Sequence, residues 1–90
     1  VTERTVKVMS RAGLHARPAA LFVQTAARAS QDVTVSKRGK DPVNAKSILA
    51  VLGLDAHHGE EITLAARGEG ADDLLDELEH ILSQEEPQRA

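Results

Sequence analysis

Gly13, Leu14, His15, Ala16, Arg17, Pro18 and Ala19 place an imidazole at a loop-to-helix junction, with a guanidinium two residues further along. The chemistry this pattern offers is phosphoryl chemistry. A helix start presents backbone N–H groups without intrahelical acceptors and the positive end of the peptide dipoles, and both favour an anion. Arg17 adds a planar, permanently charged fork matched to phosphate oxygens. Imidazole titrates near neutrality, so a large part of His15 carries an unprotonated, nucleophilic nitrogen at neutral pH. Once phosphorylated, it would turn the new anion toward the N–H groups of Ala16 and Arg17 and the Arg17 guanidinium. Phosphoryl transfer is mainly positioning and charge stabilisation, so a small protein supplying one nucleophile and one clamp can take part if a partner supplies the rest. The same residues are also compatible with a histidine that only caps a helix and an arginine solvated in its first turn.

Other chemistries find less support. His57 and His58 are adjacent and His80 is remote, without the two-histidine i, i+4 spacing of zinc hydrolases, so no metal site is expected. The absence of cysteine excludes disulfides and thiolate metal sites, and it suits a reducing cytoplasm. No Walker A pattern, GxGxxG or serine triad is present. The net charge of −3 has its main source in Asp72, Asp73, Asp76, Glu77, Glu79, Glu85 and Glu86, and Phe22 is the only aromatic residue, so nucleic acid is not an expected partner. Lys37, Arg38 and Lys40 flank Gly39 and read as a solvated turn. The apolar runs 18–23 and 48–54 are too short to span a bilayer and no basic-then-apolar leader opens the sequence, which predicts a soluble, cytoplasmic protein without membrane insertion.

Ninety residues without a Pro/Gly/Ser linker predict a single domain, 1–90. Strict alternation marks half-buried strands: Val6 and Val8 within 4–9, Val33 with Val35, and Ile62 with Leu64. A short fourth strand is expected near 41–44, at an edge because Pro42 cannot donate to a ladder. Ala16, Ala19, Ala20, Val23 and Ala27 suggest a helix over 16–29, with Pro18 tolerated in its first turn. Leu74, Leu75, Leu78, Ile81 and Leu82 form the stripe of a final helix, before a frayed tail over 84–90. Between them a helix over 47–54 takes Ser47 as N-cap and ends near Gly53. If Val51 and Leu54 face inward, then Leu49, Leu52 and in part Ile48 point outward, and such an aliphatic surplus suggests a docking patch. The element order, strand, helix, strand, strand, helix, strand, helix, predicts an α+β sandwich with helices on the apolar face of a sheet.

The segment Gly13 to Ala20 resembles the active-site signature of the HPr family, the histidine-containing phosphocarriers of the bacterial phosphotransferase system. The likeness continues through Phe22, Val23, Gln24 and Thr25, and again at Asn44, Ala45, Lys46, Ser47 and Ile48. It implies an open-faced sandwich in which a four-stranded antiparallel sheet carries three helices on one face. It also implies that His15 accepts a phosphoryl group on Nδ1 from phosphoenolpyruvate-charged enzyme I and passes it to the A domains of sugar-specific enzymes II. Arg17 would alternate between the phosphate and partners. Such a protein is a carrier and not an enzyme in its own right. The residues themselves indicate no cofactor, and no patch in the sequence encodes an oligomer, so a monomer is the default expectation.

The resemblance further makes Ile48, Leu49 and Leu52 partner contacts, with Lys46 and Arg17 supplying positive charge toward acidic partners. Ser47 stands where some members are phosphorylated by an HPr kinase, and a phosphate there would add roughly −1.5 to −2 charge at a helix start. Around it the chain departs from the regulated pattern: Leu49 and Leu52 replace frequent methionines, Ala50 a usual glycine, and Asp55 a glycine that often follows the helix. Ser47 can therefore be a helix cap alone. The alternative function is that of a nitrogen-branch or regulatory relative that binds transcription regulators instead of feeding sugar transport.

Overall fold

The computed structural model describes residues 1–9 and 16–83, and for residues 16 and 17 the backbone alone. Its elements are β1 (Thr2–Lys7), α1 (Ala16–Arg28), β2 (Asp32–Lys37), β3 (Val43–Asn44), α2 (Ile48–Gly53), β4 (Glu61–Arg67) and α3 (Ala71–Ser83). The strands form one antiparallel sheet in the order β1-β4-β2-β3. Thr2 pairs with Ala66 and Lys7 with Glu61, while Asp32 pairs with Arg67 and Lys37 with Ile62.

Alternation decides which face is covered. Val6, Val33, Val35, Ile62, Leu64 and Ala66 are buried under the helices, whereas Thr5 and Thr63 lie together on the open face, their hydroxyls 3.5 Å apart. Side chains two residues apart share a face of a strand, so one register serves a dry side and a wet side. α3 packs on β1 and β4, α1 lies against α3 and α2, and α2 sits beside β3. The layered sandwich agrees with the architecture expected from the sequence.

Several boundaries and faces differ from expectation. β1 begins at Thr2, because Arg4 occupies a helix-facing position in the series Arg4, Val6, Val8. Its guanidinium reaches across to α3, where it pairs with Asp76, with Glu79 at 3.2 Å and with Asp72 at 3.8 Å. The Asp76 bond chiefly, opposed by desolvation and helped by Glu79, raises the arginine pKa further. Three of the acidic residues that set the net charge thus hold the rim of the sheet to the last helix. On α1 the buried stripe is Ala19, Phe22, Thr25 and Ala26, rotated from the one expected, so that Ala27 is exposed and Ala20 and Val23 are half-buried. On α3, Leu74, Leu75, Leu78 and Leu82 are buried as expected and Ile81 packs at the margin.

The hairpin between β2 and β3 turns at Gly39, whose φ of +85° is in the left-handed region, and the Lys40 N–H donates to the Lys37 carbonyl at 2.9 Å. Residues 84–90 lie outside the described residues. No helix among the described residues is long and apolar enough to cross a membrane.

Candidate functional site

α1 begins at Ala16, so His15 precedes it by one residue and lies outside the described residues, as do the side chains of Ala16 and Arg17. The helical backbone of Ala16 and Arg17 supplies the first N–H groups of α1, which have no acceptor one turn back. Pro18, the third helical residue, is buried, and its missing N–H removes no helical bond at that position. The charge pattern separates the two long helices. α3 carries Asp72 and Asp73 in its first turn and so meets its own positive end with carboxylates, but α1 has no acidic residue there.

α2 follows the described start of α1 in importance. Ser47, with φ −108° and ψ 117°, accepts a bond at its Oγ from the Ala50 N–H at 3.3 Å and is the N-cap. For a helix of six residues the cap matters, since short helices do not persist without such end contacts. Ser47→Ala is expected to lower the unfolding free energy by about 1 kcal/mol in urea titrations, and a loss under ~0.3 kcal/mol would refute the capping role. Val51 and Leu54 are buried, Leu49 is 80% exposed and Ile48 39% exposed. Leu52 is half-buried and packs against the core, so it divides its surface between core and solvent. The outward surplus expected from the sequence therefore rests mainly on Leu49 and Ile48.

Lys46 is less available than its charge suggests. Its Nζ donates to the Ala29 carbonyl at 2.9 Å, just past the end of α1, and its N–H donates to Asn44 Oδ1 at 2.9 Å. An ammonium at the last carbonyls of a helix satisfies groups the helix itself leaves open. The residue thereby ties the end of α1 to the start of α2. Leu21 on α1, 46% exposed, is an apolar surface residue not among those expected to face outward. The run Leu21, Phe22, Val23 carries its signal, because one buried stripe cannot take three consecutive residues.

The C-terminal end of α2 is held from the β2–β3 hairpin. Lys37 Nζ donates to the Asp55 carbonyl at 2.7 Å and Lys40 Nζ to the Leu54 carbonyl at 3.4 Å, so neither lysine is merely solvated. The left-handed residue that ends the helix is Asp55, with φ +57°, and not Gly53. Its carboxylate lies 3.2 Å from His57 Nε2. Glu60 Oε1 accepts the His57 N–H at 2.7 Å and Lys37 Nζ at 3.3 Å. The His57 N–H first, then Lys37, hold the Glu60 carboxyl below its ordinary range, with desolvation opposing them.

A carboxylate with a depressed folded pKa contributes stability that is present above its unfolded value of about 4.3 and is lost as pH falls through the folded value. Glu60→Gln is therefore expected to be less stable than the parent at pH 7, with the gap constant down to about pH 5 and closing below about pH 4. A gap that persists unchanged to pH 2.5 in thermal melts would contradict this.

Among the described residues, no group of three or more His, Cys, Asp or Glu side chains is placed to hold a metal ion.

Comparison with known proteins places this geometry in a family. The profile described as PTS HPr component phosphorylation site matches residues 2–84. The phosphocarrier protein HPr of Streptomyces coelicolor is 48% identical over 84 residues, covering 93% of this chain and 90% of that protein. The HPr-like protein Crh of Bacillus subtilis is 44% identical over 85 residues, covering 94% and 99%. The crystal structure of HPr from Bacillus anthracis superposes with a TM-score of 0.85 at 41% identity, covering 90% and 95%. Agreement of this length in both sequence and backbone reflects common descent, and the chain belongs to the HPr family, the phosphocarriers of the phosphotransferase system.

Proposed function

We propose that the protein accepts a phosphoryl group on Nδ1 of His15 from phospho-enzyme I and passes it to the A domains of sugar-specific enzymes II, supporting sugar uptake. In the first transfer the Nδ1 lone pair forms the bond to phosphorus as the bond from phosphorus to the donor breaks. In the second, His15 is the leaving group. The N–H groups of Ala16 and Arg17 and the Arg17 guanidinium hold the phosphate oxygens, while Ile48, Leu49 and Leu52 meet the partner. Lys46 contributes positive charge at that face while bracing the two helices. The protein works as one cytoplasmic, monomeric domain that is consumed and regenerated by its partners and performs no catalysis alone.

The observation that carries this reading is the match, over residues that include His15 and Arg17, to a family described by its phosphorylation site. The first turn of α1, with no acidic residue of its own, supports it physically. The test is incubation with enzyme I, phosphoenolpyruvate and magnesium. An acid-labile, base-stable phosphate is expected on the parent protein and none on His15→Ala. Absence of label on the parent, or equal label on the variant, defeats the assignment.

The likeness to Crh, which spans almost all of both chains, favours a second reading in which binding to regulators is the main output and Ser47 is a kinase target. Treatment with an HPr kinase and ATP separates the two roles of Ser47. Label on Ser47 supports regulation, and its absence leaves the residue as the N-cap.

A further inference from the structure

The order β1-β4-β2-β3 leaves β1 with one neighbour, so alternate backbone groups along it face away from the sheet. Which ones do so follows from Val8, whose N–H donates to the Glu60 carbonyl at 2.9 Å and whose carbonyl accepts the Gly59 N–H at 2.8 Å. Bonding direction alternates along an antiparallel strand, so Val6 and Arg4 also bond toward β4, while Glu3, Thr5 and Lys7 turn their N–H and C=O groups outward. The row ends at Met9, whose outward N–H donates to the Leu82 carbonyl of α3 at 2.9 Å. Among the described residues, no backbone group bonds to the outward groups of Glu3, Thr5 and Lys7.

The side chains of Glu3, Thr5 and Lys7 are exposed on the open face of the sheet. Glu3 and Lys7 lie roughly 13 Å apart along the strand, too far to pair with each other. Across to β4, Lys7 faces Glu61, whereas Glu3 faces Ala65 and has no cation opposite it.

Charges on an edge strand ordinarily discourage pairing with another chain. Here they select one register. With a second copy laid antiparallel and Thr5 opposite Thr5, Glu3 of each copy meets Lys7 of the other, and the outward groups of Glu3, Thr5 and Lys7 all fall in bonded pairs. On the helix side Arg4 then meets Val6, its charge already engaged by Asp72, Asp76 and Glu79. Centring the pairing on Arg4 sets that arginine against its own copy. Centring it on Val6 sets Glu3 against Met9, whose N–H is taken.

We propose that the outer edge of β1 is a self-association surface that takes a second copy of this chain, paired antiparallel about Thr5 so that the two sheets become one. A seam of one strand edge is small beside the ~1,200–2,000 Å² of stable complexes, so the dimer is weak, half-formed at a concentration of the order of 1 mM, and the monomer prevails when dilute. α2 sits beside β3, at the opposite edge from β1, so the docking residues Ile48 and Leu49 of both copies lie at the far ends of the joined sheet. The pairing does not depend on the phosphocarrier reading.

Sedimentation equilibrium and amide exchange of the full chain, from about 20 μM to about 2 mM, test this. The average mass of the parent should rise with concentration, and at the upper end exchange at the Glu3, Thr5 and Lys7 amides should slow about two- to threefold while the Arg4 and Val6 amides are unchanged. Glu3→Lys and Lys7→Glu each bring like charges together in a homodimer and should weaken association about tenfold or more. In an equimolar mixture of these two variants both facing pairs are opposite in sign, and association should return to within about threefold of the parent. Thr5→Pro removes an outward N–H without touching the ladder to β4 and should abolish association; if it does not fold, the charge variants decide alone. A parent that stays monomeric at about 2 mM overturns the proposal. So do single charge variants that associate like the parent, or a mixture that associates no better than either alone. Loss of association in Leu49→Asp assigns it to α2 instead, and a dimer that persists for hours after dilution indicates exchange of whole strands; either result overturns edge pairing.

Discussion

Leu49→Asp is expected to slow phosphoryl transfer from phospho-enzyme I by about 30-fold or more at sub-saturating concentration, with the unfolding free energy changed by less than about 0.5 kcal/mol. The two effects separate because Leu49 is 80% exposed in the free protein and supports nothing within it. Burying a leucine side chain against a partner contributes ~1.5–3 kcal/mol. A carboxylate in its place forfeits that and adds the cost of desolvating a charge opposite an apolar surface. Stopped-flow transfer kinetics and a urea titration on the same sample read both quantities. Unchanged kinetics would remove Leu49 from the docking face, and an altered fold would mean that Leu49 contributes to packing within the free protein.

Phe22→Ala is expected to have the largest effect on stability, a loss of about 3–5 kcal/mol. Phe22 is the only aromatic residue and is fully buried on the inner side of α1. For ninety residues the whole unfolding free energy is of the order of 5–13 kcal/mol, so the variant keeps a fraction of its margin and approaches unfolding at physiological temperature. Guanidinium unfolding measures the loss, and a value under about 1.5 kcal/mol would mean that its neighbours close the cavity. Because α1 starts next to His15, phosphorylation by enzyme I should fall in step with the folded fraction.

The strands were legible because alternation is a local signal that survives without knowledge of neighbours: Val33 with Val35 and Ile62 with Leu64 name their own faces. The same holds for the Ser47 cap, whose acceptor and donor lie three residues apart. Strand order was not legible, since a valine faces the core in the same way whether its strand is central or at an edge. The face of α1 was misread for a different reason. Alanine is compatible with either side of a helix, so Ala20 and Ala27 carried little contrast, and the single large side chain, Phe22, decided the rotation.

Arg4 and Lys37 escaped because the groups that make their positions tenable are remote in sequence: the carboxylates of α3 for Arg4, and Asp55 with Glu60 for Lys37. A cation on the dry side of a strand reads as an error until the element above it is known. Asp55 was identified as standing where glycine is frequent, but its left-handed backbone became evident only from the structure. At the candidate site, the chemistry of His15 and Arg17 came from residue types and spacing. The structure contributes the surroundings: a first turn of α1 with no acidic residue of its own, a capped short helix and an exposed Leu49.

The order β1-β4-β2-β3 gives the first strand a single neighbour, and that neighbour is the last strand to be made. Thr2 to Lys7 pair with residues 61 to 66, so during synthesis the N-terminal segment leaves the ribosome long before anything can receive it. Closing so long a loop is slow compared with forming the β2–β3 hairpin or the helices. β1 must therefore wait as an unpaired strand until β4 has been made, and crowding by nascent chains would punish any delay in the arrival of β4.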